Sequence, residues 1–291
     1  MRTSLRGLSQ ALDRRACPTT LGRLLRASGY GLRGHRKRLT GKAHADRDTQ
    51  FRYIHTQRRQ FIGAINPWIS VDAKKRELVG DFKNPGRRWS RRPQDVNAHD
   101  FPDAAVCRAT PYGVYDPERN LGHVCVGTSG NTPDLAADAI RDWWGRHGRR
   151  HYPDATAVLI EADGGGSNGS KSRRFKLRLQ QFADATGLAV TVCHYPPGAS
   201  KWNPIEHRLF SQISATWAGI VLATVAVLAG LIRRTTTATG LRVTSRVMTQ
   251  AYPIGRKVTA AEFRAIRLTR HETCPQWNYT IHPRAGGKNT E

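Results

Sequence analysis

A chain of 291 residues with 38% hydrophobic content supports one good-sized core and a small appended module, which excludes a string of several large domains. Its formal net charge of +25 is far more than solubility requires and points to a polyanionic partner, nucleic acid first. A genome-wide bias toward Arg would spread that charge evenly, whereas residues 1–60 carry fifteen Lys and Arg against three Asp. The cysteines, Cys17, Cys107, Cys125, Cys193 and Cys274, form no C-x-x-C pair and no Cys/His cluster of zinc spacing, as expected of reduced thiols in a cytoplasmic protein. Arg2, Arg6, Arg14 and Arg15 interrupt the first residues, so no signal peptide is expected.

Leu5, Leu8 and Leu12 fall at helical spacing and predict a helix over 4–12. After Cys17 and Pro18, Thr19 and Thr20 offer N-cap chemistry for a second helix, which Gly29 stops. That helix has Leu21, Leu24 and Leu25 on one face and Arg23 and Arg26 on another. Such a pair reads as a small helix-turn-helix whose second helix enters a major groove through Thr20, Arg23 and Arg26; a basic helical hairpin is the plainer reading. The run 33–42, with Arg36, Lys37 and Arg38, suits a linker lying along phosphates. These segments make a DNA-binding module over residues 1–45.

The second region, 50–240, begins with a helix over 51–62 and a strand over 67–71 that Asp72 ends. A turn at 73–76 and a strand at 77–82 then predict a hairpin. Residues 83–110 hold Pro85, Pro93 and Pro102, with Arg87, Arg88, Arg91 and Arg92 around Trp89, and read as a basic surface insertion. It is suited to gripping a DNA backbone and stacking on an unpaired base, or is simply solvated. Strands follow at 112–115 and 122–127, then a helix over 133–147 and a strand over 157–160. A basic helix over 170–186 carries Lys171, Arg173 and Arg174. It precedes a strand at 189–193 and a helix over 204–214 with Pro204 in its first turn. The uncharged stretch 215–232 reads as a buried helix with its following turn rather than a membrane span. The order predicts an α/β fold, a mixed sheet flanked by helices, with 241–291 as a C-terminal extension.

Three acids stand out: Asp72 at the end of a strand, Asp163 at the end of another before three glycines, and Glu206 at the start of a helix. Each alone would pass for a turn or cap residue. Brought together they would hold two Mg²⁺ or Mn²⁺ ions, hard cations that prefer oxygen ligands and promote in-line attack on phosphorus. In that arrangement Asp72, on the most central strand, bridges both ions, and Asp163 and Glu206 each hold one. Glu161 competes with Asp163 but lies two residues deeper on the same strand. His194 and His207 flank the acids and are read as supporting groups, since His suits Zn²⁺ better than Mg²⁺. Lys201, Trp202 and Asn203 precede Glu206 and are placed to position a scissile strand.

Ala-Asp-Gly-Gly-Gly-Ser-Asn-Gly-Ser around Asp163, Pro-Pro-Gly-Ala-Ser-Lys-Trp-Asn-Pro-Ile-Glu-His-Arg-Leu-Phe-Ser around Glu206, and Val-Asp-Ala-Lys-Lys-Arg-Glu-Leu-Val-Gly-Asp-Phe-Lys-Asn-Pro-Gly from Val71 carry a resemblance. With shorter stretches elsewhere they cover most of the chain, which resembles the DDE transposases of the ISAzo-type insertion sequences. The resemblance implies a ribonuclease-H-like core in which a central strand, the end of a later parallel strand and a following helix supply the acids, here Asp72, Asp163 and Glu206. It also implies divalent metal, DNA partners (the element's inverted-repeat ends and target DNA) and a homodimer on paired ends. Family members extend further at the amino terminus, so a shortened copy is expected. Residues 219–230 are more apolar than the family pattern, and 246–250 replaces a more acidic segment. Rival readings are a ribonuclease-H-like nuclease that cuts without joining and a DNA-binding remnant with a decayed core.

Overall fold

The computed structural model describes residues 4–31, 44–97 and 102–284. It divides into two units, Met1–Lys42 and Ala43–Glu291. The first contains helices α1 (Leu5–Ala11) and α2 (Pro18–Ala27). Ser4 caps α1, but Cys17 rather than Thr19 or Thr20 caps α2: its sulfur accepts from Thr20 N, with Pro18 in the first turn where a missing N–H costs nothing. Thr20 is therefore inside the helix, half-buried, while Arg23 and Arg26 are exposed. Arg36, Lys37 and Arg38 lie outside the described residues.

In the second unit, helix α3 (Arg47–Phe61) leads into strands β1 (Trp68–Ala73) and β2 (Glu77–Val79), then β3 (Cys107–Asp116) and β4 (Leu121–Gly127). Helix α4 (Pro133–Trp143) runs through a π-helical turn at Trp144–Gly148 into the short α5 (Arg149–His151). Next come β5 (Ala157–Ala162), α6 (Arg173–Thr186), β6 (Ala189–His194), a π-helical turn at Glu206–Phe210, α7 (Ser211–Thr216) and α8 (Val225–Arg233). The chain closes with β7 (Arg242–Val247), α9 (Ala260–Arg264), β8 (Leu268–Arg270) and β9 (Asn278–Ile281). The sheet order is β7-β4-β3-β1-β5-β6-β9-β8, with β2 beside β3. The pairs β1–β5, β5–β6 and β4–β7 are parallel; β3 and β9 run the other way.

Helices cover both faces, so the central strands are apolar on both sides. Ile69, Val71, Val158 and Ile160 pack beneath α4 and α6 with Ala139, Trp143, Phe175 and Leu179. On the opposite face Trp68 and Leu159 meet Ile54 of α3, and Val124 and Val126 meet Leu209, Ile213 and Ile232.

Four expectations are corrected. β1 and β2 do not form a hairpin: both pair antiparallel with β3, β1 against 112–115 and β2 against 107–109. Lys74 N donates to Pro111 O between them, so 74–76 interrupts one line of pairing rather than reversing the chain. Residues 107–110 consequently belong to β3, not to the surface insertion. The stretch 215–232 is not one helix, because Gly219 (φ +68°) donates to Pro85 O and packs against the backbone of Arg87, and α8 starts afresh with Thr224 as its cap. Finally, the described residues of the expected C-terminal extension join the sheet: β7 pairs with β4 on one side, and β9 with β6 on the other.

Candidate active site

The register of β1 and β5 pairs Ser70 with Glu161 and Val71 with Ala162. One step further, Asp72 and Asp163 leave adjacent parallel strands at the same level and on the same face. Opposite Asp72 on β3 stands Gly113, where a Cβ would come within 2.7–2.8 Å of Phe210 and Ile205. The missing side chain lets the turn bearing Glu206 settle onto the sheet, which brings the third carboxyl against Asp72. Burial, then the charge of Asp163, then that of Glu206 push the Asp72 carboxyl up to about 8, although Ala73 N–H donates to it at 2.7 Å and opposes the rise. Asp163 rises to about 6, chiefly through burial; a hydrogen bond from Asn203 resists this and the charge of Glu206 adds to it. The three expected acids thus act on one another as a site short of positive charge.

Asn203 is fully buried beneath them. Its Nδ2 donates to Val71 O (3.2 Å) and to Asp163 Oδ1 (3.3 Å), and its Oδ1 accepts from Ser70 Oγ, which in turn accepts from Ile205 N at 3.0 Å. The residue expected to guide a scissile strand instead ties together the three segments that carry the acids. Beside it, Lys201 and Trp202 are exposed on the turn Ser200–Trp202, with Lys201 Nζ 5.4 Å from the Trp202 ring centre.

Glu161 is engaged elsewhere. Arg58 donates to its two oxygens at 2.7 and 2.6 Å and Tyr195 Oη donates to Oε2 at 2.6 Å, an ion pair that sequence reasoning missed because Arg58 comes from α3, 103 residues earlier. His194 is buried and kept neutral, its ring lowered to about 4 by burial; its Nδ1 bonds to the carbonyl of Asp163 at 3.0 Å. His207 is exposed and bonds through Nε2 to Lys201 O.

Of the basic residues expected on α6, Lys171 and Arg173 are exposed, Arg173 lying 5.0 Å from the Phe263 ring centre. Arg174 is a correction. It is paired with Asp134 of α4 through contacts of 2.7–3.2 Å, so its guanidinium neutralises a helix–helix contact instead of facing solvent. In the insertion Arg87, Arg88, Arg91 and Arg92 are exposed, and Trp89 is fully so. A groove runs from Asp163 past the three glycines to Lys171 and Ser172, with Pro196–Ser200 and Trp277 on its other wall. No helix among the described residues is long and apolar enough to cross a membrane.

A mixed sheet covered by helices on both faces, with carboxylates gathered where its central parallel strands end, has the ribonuclease-H-like form. More particularly, the chain belongs to the Rhodopirellula transposase DDE domain family, whose profile matches residues 1–283. The crystal structure of the Mos1 strand transfer complex shares the fold at a TM-score of 0.50 and 11% identity, over 78% of this chain and 63% of that one. The Mos1 transposase paired-end complex with the left transposon end gives a TM-score of 0.49 and 12% identity, over 77% of this chain and 63% of that one. The chain thus spans less than two thirds of the length of these structural relatives. No curated protein matches it in sequence.

Proposed function

We propose that the protein is a DDE transposase that cuts and joins DNA strands of an insertion sequence, with Asp72, Asp163 and Glu206 as its catalytic and metal-holding acids. The observation that carries this is the mutual proximity of three carboxyls, drawn from β1, the end of β5 and the Glu206 turn, in a chain of net charge +25.

The donor set fits Mg²⁺ or Mn²⁺: all three groups are hard oxygen donors. The raised carboxyls of Asp72 and Asp163 are what buried acids show when no cation balances them. Two bound divalent ions would supply charge neutralisation and polarise the attacking and leaving oxygens. The chain's own residues do the rest. Asn203 holds Asp163 and the backbone before Asp72, and the groove beside Gly164, Gly165 and Gly166 lets a sugar-phosphate backbone come close without meeting side chains. Lys171, Arg173, Lys201 and Trp202 contact the strand, the Lys and Arg through phosphates and Trp202 through a base face, while Thr20, Arg23, Arg26 and the 36–38 segment engage element ends. In the first step the oxygen of water attacks phosphorus and the bond to the 3′ oxygen breaks, freeing a 3′ hydroxyl. In the second, that hydroxyl's oxygen attacks a phosphorus of target DNA, the bond from that phosphorus to the target's 3′ oxygen breaks, and the proton passes to the displaced target strand, which leaves with a free 3′ hydroxyl. The partners are inverted-repeat ends and target DNA, engaged by a homodimer on paired ends.

The test is metal-dependent cleavage of the DNA flanking the open reading frame, followed by strand transfer from pre-cleaved ends. Alanine at Asp72, Asp163 or Glu206 should abolish both reactions and leave metal-free DNA binding intact. Full activity in any one variant removes that residue from the site. Cleavage without transfer identifies a nuclease, and binding without either reaction a decayed remnant.

A further inference from the structure

Sequence spacing shows no zinc motif, yet folding assembles a ligand set on the other flank of the sheet. His123 and Cys125 alternate on β4 and so project to one side, where Asp142 of α4 meets them. Among the described residues, these three offer one ligand atom each within 4.8 Å of one another. The edges are 2.8 Å from His123 Nε2 to Asp142 Oδ2, 3.5 Å from Nε2 to Cys125 Sγ, and 3.9 Å from Sγ to Oδ2. A tetrahedral Zn²⁺ with ordinary bond lengths requires about 3.6 Å from sulfur to either partner and about 3.4 Å between nitrogen and oxygen. The sulfur edges already agree to within about 0.3 Å of those lengths, and the short third edge is a hydrogen bond that an ion would open.

We propose that His123, Cys125 and Asp142 form a structural site for Zn²⁺ that pins α4 to the strands β4 and β7. The surrounding groups are arranged for it. His123 Nδ1 lies 2.8 Å from Thr244 Oγ1 of β7; with that nitrogen carrying the proton, Nε2 presents its lone pair inward. Arg246 and Arg146 bind Asp142 Oδ1, Arg146 at 3.2 Å, which fixes the carboxylate plane with Oδ2 toward the cluster. Arg146 also reaches Oδ2 at 3.0 Å and must yield that contact to the ion; half-exposed, it is able to swing into solvent. On binding, the Cys125 S–H bond breaks, its proton passes to solvent, and a Zn–S bond forms. Thiolate and carboxylate then balance the two charges of the ion. A cavity lined by His123, Arg146, His147 and Thr244 lies beside the cluster, and His147, whose ring centre is 5.2 Å from that of His123, bonds through Nε2 to the same Thr244 hydroxyl at 3.0 Å. A nitrogen–sulfur–oxygen set selects Zn²⁺ over Mg²⁺, so the site is chemically distinct from the all-oxygen acids and independent of their role.

Co²⁺ is the probe, because its bond to thiolate absorbs where Mg²⁺ sites are silent. The chelator-stripped, reduced full chain should take up one equivalent of Co²⁺ with a thiolate-to-cobalt band. One equivalent of Zn²⁺ should bleach that band and raise the melting temperature. Cys125→Ser should lose the band, and Cys193→Ser and Cys107→Ser should keep it. Should Cys125→Ser not fold, Asp142→Asn is read instead and should weaken Co²⁺ binding at least tenfold. A folded chain that gives no band at stoichiometric Co²⁺, a band that survives in folded Cys125→Ser, or an unchanged affinity in Asp142→Asn overturns the proposal.

Discussion

Replacing Asn203 by Ala deletes an amide that makes three side-chain hydrogen bonds in a fully buried position: to Val71 O, to Asp163 Oδ1 and from Ser70 Oγ. Each such bond is worth about 1 kcal/mol net, and partners left without water or protein cost more. Ser70 Oγ keeps its bond from Ile205 N, so the main orphans are Val71 O and the Asp163 oxygen. The expected destabilisation is about 3 kcal/mol, read as a shift of the urea midpoint at constant slope. Groups that orient metal ligands typically contribute 10–100-fold in metal affinity or activity, so the Mg²⁺ concentration giving half-maximal cleavage should rise by about that factor. DNA affinity measured without divalent metal should not change. Asn203→Asp separates orientation from simple packing, because it keeps the volume and reverses the donor: it should shift the Mg²⁺ midpoint by at least as much while filling the same space. A loss below about 1 kcal/mol in Asn203→Ala, or unaltered Mg²⁺ dependence in both variants, refutes the reasoning.

Removing Arg58 strands Glu161, whose side chain is wholly buried, with only Tyr195 as partner; Arg58→Ala should cost about 3–5 kcal/mol in denaturant unfolding, and Arg58→Lys should recover only part. The folded-state carboxyl of Asp72 lies above its ordinary 3.8, at about 8, so the metal-free native state holds a proton that the unfolded chain releases. Its contribution is present below about pH 4 and is lost as pH rises toward 8. Melting of the metal-free protein at pH 5 and pH 8 should show that fall, and Asp72→Asn or added Mg²⁺ should flatten it; an unchanged slope in Asp72→Asn rejects the assignment. DNA affinity should drop steeply with salt, and Arg23→Ala with Arg26→Ala should lower the log–log slope by about 2, at roughly 0.9 per phosphate contact. A slope equal to that of the unmodified chain removes α2 from the DNA interface.

The acids were legible because each sits beside its own punctuation. The alternation from Ile69 to Asp72 marks a strand, three glycines mark the end of β5, and Pro204 marks a helical start two residues before Glu206. What sequence could not show is what distant segments do to a residue whose local appearance is ordinary. Asn203 looks like a solvent-facing turn residue until β1 and β5 close over it. Arg174 looks like part of a DNA-facing stripe, but α4 packs beside α6 and presents Asp134 and Asp138 to Arg174 and Arg178. His123 and Cys125 are separated by a single residue, and the ligand that completes them comes from a helix 17 residues further on. The strands after 240 escaped for the related reason that β7 pairs with β4 across more than a hundred residues, a partnership that no local signal encodes.

The electrostatics of the two levels oppose each other, and this constrains how the protein would work. Under the proposed function, a chain of net charge +25 would draw DNA in over long distances, assisted by exposed arginines on the insertion and on α6. At contact distance the gathered carboxyls would repel a scissile phosphate, and burial together with their mutual repulsion raises Asp72 and Asp163, so the cations among the described residues do not fully balance them. Arg58, the cation that approaches most deeply from α3, is already committed to Glu161. Binding and reaction are therefore separable in charge terms: the surface suffices to hold DNA, whereas a phosphate seated against Asp72 and Asp163 requires divalent cations in the same place. Under this account metal and DNA bind with positive coupling at the acids and with none at α2. Substituting the acids with alanine should remove the metal dependence of DNA affinity while leaving its salt dependence in place.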